Sequence, residues 1–263
     1  MNSMAARRRH PATLLVMLLL ALLGTGAIYA AVDSGTSAQA ADQKWSEAQI
    51  ESGKKLFAEG CSSCHGLNAQ GSAMSPTLLG VGAAGVDFQV GTGRMPLAAP
   101  GAQAVAKPPV YSQAEIDALA AYVSSLAPGP GVPTAEQLDT ATADLATGGE
   151  LFRTNCAQCH SFAGKGGALS DGTAAPSLMD ATPRQIYTAM VSGPQSMPIF
   201  GNGTITVEEK QTIIKWIASL QADDNPGGLA LGRLGPVTEG LFVWLIGLGA
   251  LILVAIWIGV KAK

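Results

Sequence analysis

The most constraining feature of this 263-residue sequence is a five-residue string that occurs twice. It reads CSSCH at Cys61–His65 and CAQCH at Cys156–His160, and together the strings use all four cysteines and two of the three histidines. On a helical turn, positions i, i+3 and i+4 share one face. Cys-x-x-Cys-His is the attachment signature of c-type haem. The strings therefore predict two covalent haems c, with thioether bonds and axial iron bonds from Cys61, Cys64, His65, Cys156, Cys159 and His160.

Three other roles for these strings fit the sequence less well than haem attachment does. A zinc site needs four ligands in one compact unit, whereas each string offers two cysteines and one histidine. A thioredoxin-like redox pair needs no following histidine and is expected within a strand–helix–strand unit, which the sequence does not show. A disulfide within a string is possible in an exported chain, but it would close a very small, strained loop. Haem attachment is the favoured interpretation.

The sequence around the strings is duplicated. The same residue types precede both strings, and a Pro-x-Leu and then a Met-Pro follow each of them. The matched positions are Gly53, Leu56, Phe57, Pro76, Leu78, Met95 and Pro96 in the first half, and Gly148, Leu151, Phe152, Pro176, Leu178, Met197 and Pro198 in the second. The chain therefore contains two copies of one module.

Each copy ends in an amphipathic stretch that opens with a capping box. Ser112 with Glu115 begins the first stretch, and Thr206 with Glu209 begins the second. Apolar residues follow at helical spacing, so each closing helix is expected to pack against the helix ahead of the Cys string. Strand-like alternation is nearly absent, which predicts two small all-α domains.

A haem iron held by histidine needs a second axial ligand or keeps an open position. The third histidine, His10, lies beside a hydrophobic segment at the N-terminus, so methionine is the expected ligand. Met95 and Met197 each precede a proline in a short turn, and both are predicted to bind iron. The rival methionines are Met74, Met179 and Met190. The first follows its histidine too closely, and the last falls in a helical run where core packing explains it.

The two ends of the chain are hydrophobic. Residues 12–32 and 240–260 carry no charge, and each run is long enough to cross a bilayer as a helix. Arg7–Arg9 precede the first run, and Lys261 and Lys263 follow the second. The positive-inside rule places both ends in the cytoplasm and the haem strings on the outer side of the membrane. The first run also fits a signal peptide cleaved near Ala38–Ala40, so its retention stays open.

The duplicated modules resemble class I cytochrome c domains, in which the same elements occur in this order. The whole chain is similar to the di-haem cytochrome c subunits (cytochrome cc) of actinobacterial quinol–cytochrome c reductases, the bcc complexes. The segments that carry the similarity are Gly85–Pro96, Asn155–Ser170, Gly193–Phe200 and Asn225–Trp244. The haem strings alone are generic, but their combination with the last segment is specific.

The resemblance implies a fold and a domain order. The class is all-α, with two tandem class I cytochrome c domains, a C-terminal transmembrane helix, and an N-terminal transmembrane helix or signal peptide. The expected order is a hydrophobic segment at 1–33, a linker at 34–44, the first domain at 45–127, a linker at 128–143, the second domain at 144–222, a linker at 223–236 and the membrane helix at 237–260. Residues 97–110 have no counterpart in the second half and are expected to form a surface loop.

The resemblance also implies a respiratory role in the cell membrane. Quinol would be oxidised at a cytochrome b subunit, and electrons would pass through the Rieske iron–sulfur protein to this chain. The chain would deliver them to the copper centre of an aa3-type cytochrome c oxidase. The alternatives are a subunit of another terminal oxidase, a free-standing di-haem carrier, an enzyme with an exchangeable axial ligand, and a disulfide-stabilised interaction protein. A net charge of −3 with no basic patch argues against nucleic acid as a partner.

Overall fold

The structure is a computed structural model that describes residues 11–33, 44–73, 75–99, 101–170, 172–222, 231–233 and 236–262. Within these ranges the regular secondary structure is almost entirely helical. The exception is one antiparallel pair of two-residue strands, β1 (Gly167–Ala168) and β2 (Ala174–Ala175). The predicted all-α class is confirmed.

The described helices fall into two similar sets between two terminal hydrophobic helices. The N-terminal helix is α1 (Pro11–Asp33), and the first set is α2 (Glu47–Gly60), α3 (Ser62–His65), α4 (Gly82–Gly91) and α5 (Gln113–Leu126). The second set is α6 (Ala135–Leu138), α7 (Leu145–Asn155), α8 (Ala157–His160), α9 (Pro183–Ser192) and α10 (Val207–Gln221). The helices α2 and α7 lead into the Cys strings, and α5 and α10 are the closing helices.

In the first domain, α2 and α5 touch backbone to backbone at one glycine. A Cβ on Gly53 would lie 1.9 Å from the carbonyl oxygen of Ala118, so only glycine allows this approach. One turn further along, Phe57 is 2% exposed, and its ring centroid lies 5.2 Å from that of Tyr122. Burying one such aromatic side chain stabilises the fold by about 1.5–3 kcal/mol.

The second domain repeats this crossing. A Cβ on Gly148 would lie 2.0 Å from the carbonyl oxygen of Thr212, and Phe152 is fully buried. The duplicated Gly and Phe positions therefore serve the same purpose in both domains. In each, they bring the helix ahead of the Cys string (α2 or α7) into direct contact with the closing helix. The predicted packing of the two closing helices is confirmed.

Both predicted capping boxes are present. The backbone N–H groups of Ser112 and Thr206 donate to the carboxylates of Glu115 and Glu209, at 2.8 and 2.7 Å. In return, the Thr206 hydroxyl accepts from the N–H of Glu209 at 3.2 Å, and the Ser112 hydroxyl donates to the Glu115 carboxylate at 2.7 Å. These bonds satisfy polar groups that a helix start leaves unpaired. The sequence pattern thus fixed where each closing helix begins.

The proline- and glycine-rich segment 128–143 packs on both domains. Val132 is 6% exposed within the first core, whereas Leu138, at the end of α6, packs against the second. The Gln211 side chain in α10 donates to the carbonyl of Glu136 at 2.8 Å. These contacts restrict the freedom of one domain relative to the other.

The terminal helices are apolar on all sides. After a short 3-10 turn at Leu231–Arg233, the C-terminal segment comprises α11 (Pro236–Phe242), a π-helical stretch at Val243–Leu248 and α12 (Gly249–Lys261). Residues 12–29 and 237–261 are long and apolar enough to cross a membrane, and neither run is buried against the rest of the chain. Large apolar side chains with no protein partner need a lipid environment. Two membrane-spanning candidates at the two ends match the predicted architecture.

Candidate haem-attachment sites

Each Cys string forms a short helical turn directly after α2 in the first domain and after α7 in the second. The N–H of Cys61 donates to the carbonyl of Phe57 at 2.9 Å, and the N–H of His65 donates to the carbonyl of Cys61 at 3.0 Å. The second string makes the equivalent bonds at 2.8 and 2.9 Å, from Cys156 and His160. These backbone bonds form a helical turn, and in such a turn residues i, i+3 and i+4 share one face.

The first cysteine of each string, Cys61 or Cys156, packs against the hydrophobic core of its domain. Burial raises the pKa of the Cys61 thiol, and it raises that of Cys156 to about 11, with a smaller contribution from Cys159. No disulfide joins any of the four cysteines. Redox dithiols depend on lowered thiol pKa values, so this alternative fits these surroundings poorly.

Both histidines are oriented by a backbone carbonyl. His65 Nδ1 lies 2.9 Å from the carbonyl oxygen of Pro76, and His160 Nδ1 lies 2.9 Å from that of Pro176. A carbonyl can only accept, so Nδ1 carries the proton and Nε2 keeps its lone pair. Burial also lowers the pKa of His160, which favours the neutral imidazole. These imidazoles fit an axial bond to iron through Nε2.

The repeated Pro-x-Leu has its structural role here. Leu78 N–H donates to the carbonyl of Ala69, and Leu178 N–H donates to that of Gly164, both at 2.8 Å. These bonds close the loop after each Cys string and hold the proline carbonyl over the histidine. The sequence showed that Pro-x-Leu is duplicated but did not show that its proline carbonyl orients the histidine.

The two Met-Pro turns lie at the edges of the cores. Met95 N–H donates to the carbonyl of Gln89 at 2.9 Å, and Met197 N–H donates to that of Pro194 at 3.0 Å. Both methionines are partly buried against their own domain's core. Met190, by contrast, is 3% exposed inside α9, as core packing predicts. Of the other two rivals, Met179 is partly buried and Met74 lies outside the described residues.

Two polar side chains beside the Met95 turn are buried and incompletely paired among the described residues. Arg94 is 8% exposed and its guanidinium carbon lies 4.8 Å from the ring centroid of Phe88, yet it forms no ion pair with any residue that the structure describes. Burial lowers its pKa. The side-chain oxygen of Gln89 is also buried, without a partner among the described atoms. A buried cation without a counter-charge is costly, and a haem propionate fits that need. The sequence prediction missed Arg94, although it directly precedes Met95.

Each of the two domains contains a Cys-x-x-Cys-His turn, a histidine oriented by a proline carbonyl, and a Met-Pro turn. This combination defines the class of protein as a c-type cytochrome. In agreement, residues 50–127 match the family model described as cytochrome c. Residues 143–217 match the model described as cytochrome c oxidase, cbb3-type, subunit III. The two expected cytochrome c domains are therefore confirmed, and such domains imply covalently bound haem c.

Relatives similar over nearly the whole chain identify the family. Each is named cytochrome bc1 complex cytochrome c subunit. The protein from Mycobacterium bovis is 45% identical over 253 residues, covering 94% of this chain and 90% of the relative. That from Mycobacterium leprae is 44% identical, covering 94% and 87%, and that from Corynebacterium diphtheriae is 42% identical, covering 98% and 97%. The chain belongs to this family of cytochrome c subunits, and it is an electron carrier.

Proposed function

We propose that the chain carries two haems c, one in each domain. Cys61 and Cys64 would form the thioether bonds of the first haem, and His65 and Met95 would bind its iron. The second haem takes the corresponding set of Cys156, Cys159, His160 and Met197. The observation that carries this proposal is that the same turn and the same Nδ1-to-carbonyl bond occur twice, at 2.9 Å in both domains.

The residues of each site suit electron transfer rather than substrate chemistry. Bound haem c supplies a one-electron couple between ferric and ferrous iron. The Pro76 and Pro176 carbonyls hold each imidazole in the tautomer that binds iron, and they make its Nε2 more basic. Met95 and Met197 would each supply the second protein ligand to the iron, which would raise the reduction potential and leave no exchangeable position. An iron without an exchangeable position does not activate peroxide or oxygen.

We further propose that the chain is the cytochrome c subunit of a quinol–cytochrome c reductase. Its first domain receives electrons from the Rieske iron–sulfur subunit, which works with the cytochrome b subunit. Its second domain delivers them to the copper centre of an aa3-type cytochrome c oxidase. The names of the relatives support the reductase part, and the resemblance to the di-haem subunits of bcc complexes supports the oxidase part. Covalent linkage of the domains favours this route because it gives donor and acceptor a high effective concentration.

The cytochrome domains are proposed to lie on the outer side of the cell membrane. The positive-inside rule supports this orientation. Arg7–Arg9 precede the first apolar run, and Lys261 and Lys263 lie around the end of the second, which favours a cytoplasmic position for both ends. This orientation agrees with haem attachment outside the cytoplasm. Whether α1 is kept as an anchor or removed as a signal does not change the side.

A second function is favoured by one observation. Residues 143–217 match an oxidase subunit model, so the chain could serve another terminal oxidase. The full-length relatives favour the reductase instead, because they cover this chain from end to end. Purification of the native complex in mild detergent separates the two proposals. Cytochrome b and Rieske subunits should co-purify for a reductase, whereas an oxidase catalytic subunit without them would support the alternative.

The haem ligands are tested by substitution in the full chain. A haem-stained denaturing gel and a haem-to-protein ratio should show two covalent haems per chain. Met95→His and Met197→His should each remove part of the weak far-red iron–sulfur absorption and lower the potential of one haem. Met190→Leu is the matched control, because Met190 is a core residue and its loss should leave both haem spectra unchanged. An unchanged spectrum in Met95→His would place the first ligand elsewhere.

A further inference from the structure

The segment 97–110, here named the bridging loop, has no counterpart in the second domain and starts directly after the Met95–Pro96 turn. Its far end is fixed to the same turn. Lys107 N–H donates to the carbonyl of Thr92 at 3.2 Å, and its ammonium group donates to the carbonyl of Pro96 at 2.5 Å. The loop therefore leaves the first haem site and returns to it.

The tip of the loop is bound to the second domain by two reciprocal pairs of hydrogen bonds. The Gln103 amide donates to the carbonyl of Ala174 at 2.5 Å and accepts from its N–H at 3.0 Å. The Gln195 amide accepts from the N–H of Ala104 at 3.1 Å and donates to its carbonyl at 3.2 Å. Each side chain satisfies both backbone groups of its partner, so the contact fixes position as well as proximity.

The two contact points flank the second haem site. Ala174 lies two residues before Pro176, whose carbonyl orients His160. Gln195 lies two residues before Met197. The loop thus joins the methionine turn of the first domain to both ligand-bearing loops of the second. A connection made only for stability has no need to end at these three points.

A second contact joins the domains at a different place. Arg184 in α9 forms a bidentate ion pair with Asp87 in α4, with nitrogen–oxygen distances of 2.7 and 3.0 Å. The Asp87 side chain is 7% exposed, whereas that of Arg184 is 38% exposed. The bridging loop and this ion pair are separate in sequence, and two separate contacts restrict rotation in a way that one contact cannot.

We propose that Gln103 and Gln195 are positioning residues for electron transfer between the two haems, an inference that rests on the two-haem function proposed above. They hold the second domain's ligand loops in one orientation against the first domain. Electron tunnelling falls steeply as the gap between two cofactors widens. A loop fixed at both haem sites therefore keeps that gap constant while the chain works in its complex.

The test uses the full chain purified in its native complex, with Gln103→Leu and Gln195→Leu made singly and together. Gln49→Leu is the matched control, because the described hydrogen bonds of the Gln49 side chain are with Ser46 at the start of its own helix, α2. Pulsed electron paramagnetic resonance on the oxidised protein measures the spacing of the two irons. Rapid-mixing kinetics measure the electron-transfer rate between the haems, and redox titration measures both potentials.

We expect the double variant to lose the single narrow iron–iron distance and to transfer electrons between the haems more slowly. Both potentials and both haem spectra should stay as in the parent, and Gln49→Leu should change neither the iron–iron distance nor the rate. An unchanged distance distribution and rate in the double variant would overturn the inference, as would a shifted potential at unchanged distance. A parent protein with one haem per chain would instead refute the proposed function itself, and this inference with it.

Discussion

Replacing Gly53 with alanine tests the contact that joins the first haem-bearing helix to its closing helix. The added Cβ would lie 1.9 Å from the carbonyl oxygen of Ala118, 2.5 Å from its carbon and 2.9 Å from the Cβ of Tyr122. Relaxed carbon contacts are about 3.5 Å, so α2 and α5 must separate by roughly 1.5 Å. Two of the three clashing atoms are backbone atoms, which cannot rotate away.

The magnitude follows from two opposing effects. Overpacking of this kind costs about 1–3 kcal/mol, and an immovable backbone partner places it near the upper value. The higher helix propensity of alanine returns about 1 kcal/mol. We therefore expect Gly53→Ala to lower the free energy of unfolding of the first domain by about 2 kcal/mol.

Hydrogen exchange is the suitable assay because two domains need not unfold as one unit. Amides in α2 and α5 should exchange about 30-fold faster in Gly53→Ala, since each 1.4 kcal/mol is a factor of ten. Gly91→Ala is the control: a Cβ there meets nothing within 4 Å, so exchange in α2 and α5 should not accelerate. Unchanged exchange in Gly53→Ala would refute the close-contact explanation for the duplicated glycine.

Two further predictions concern buried cations. Arg94→Leu should lower the reduction potential of the first haem only, because removing a positive charge favours ferric iron. Arg94→Lys keeps the charge and should lower that potential less. Redox titration measures both effects, and equal titration curves for the parent and Arg94→Leu would contradict the propionate contact. Lys210 is fully buried, and burial lowers its pKa from 10.5 to about 8. A lysine whose folded pKa is depressed destabilises the fold while the group is protonated, so unfolding free energies of the second domain should rise from about pH 8 to 10.5. Denaturant titrations should show that rise in the parent and not in Lys210→Met.

Local features of this chain could be predicted from sequence because nearby residues alone determine them. The Cys strings, the capping boxes at Ser112 and Thr206, and the apolar terminal runs each depend on residues within a few turns of one another. The duplication also predicted two domains, because the same pattern in the same order implies the same fold twice. The axial roles of Met95 and Met197 came from the same local reading and stay predictions.

Only the tertiary structure determined which residues that are distant in the sequence come into contact. Whether the Pro76 carbonyl meets His65, whether Arg94 is buried beside Phe88, and whether Gln103 reaches Ala174 all depend on how distant segments pack. Sequence spacing carries no information about such distances. The segment 97–110 lies on the surface and also bridges the domains, and its bridging role depends on amides and backbone groups that are 71 and 91 residues apart in the chain.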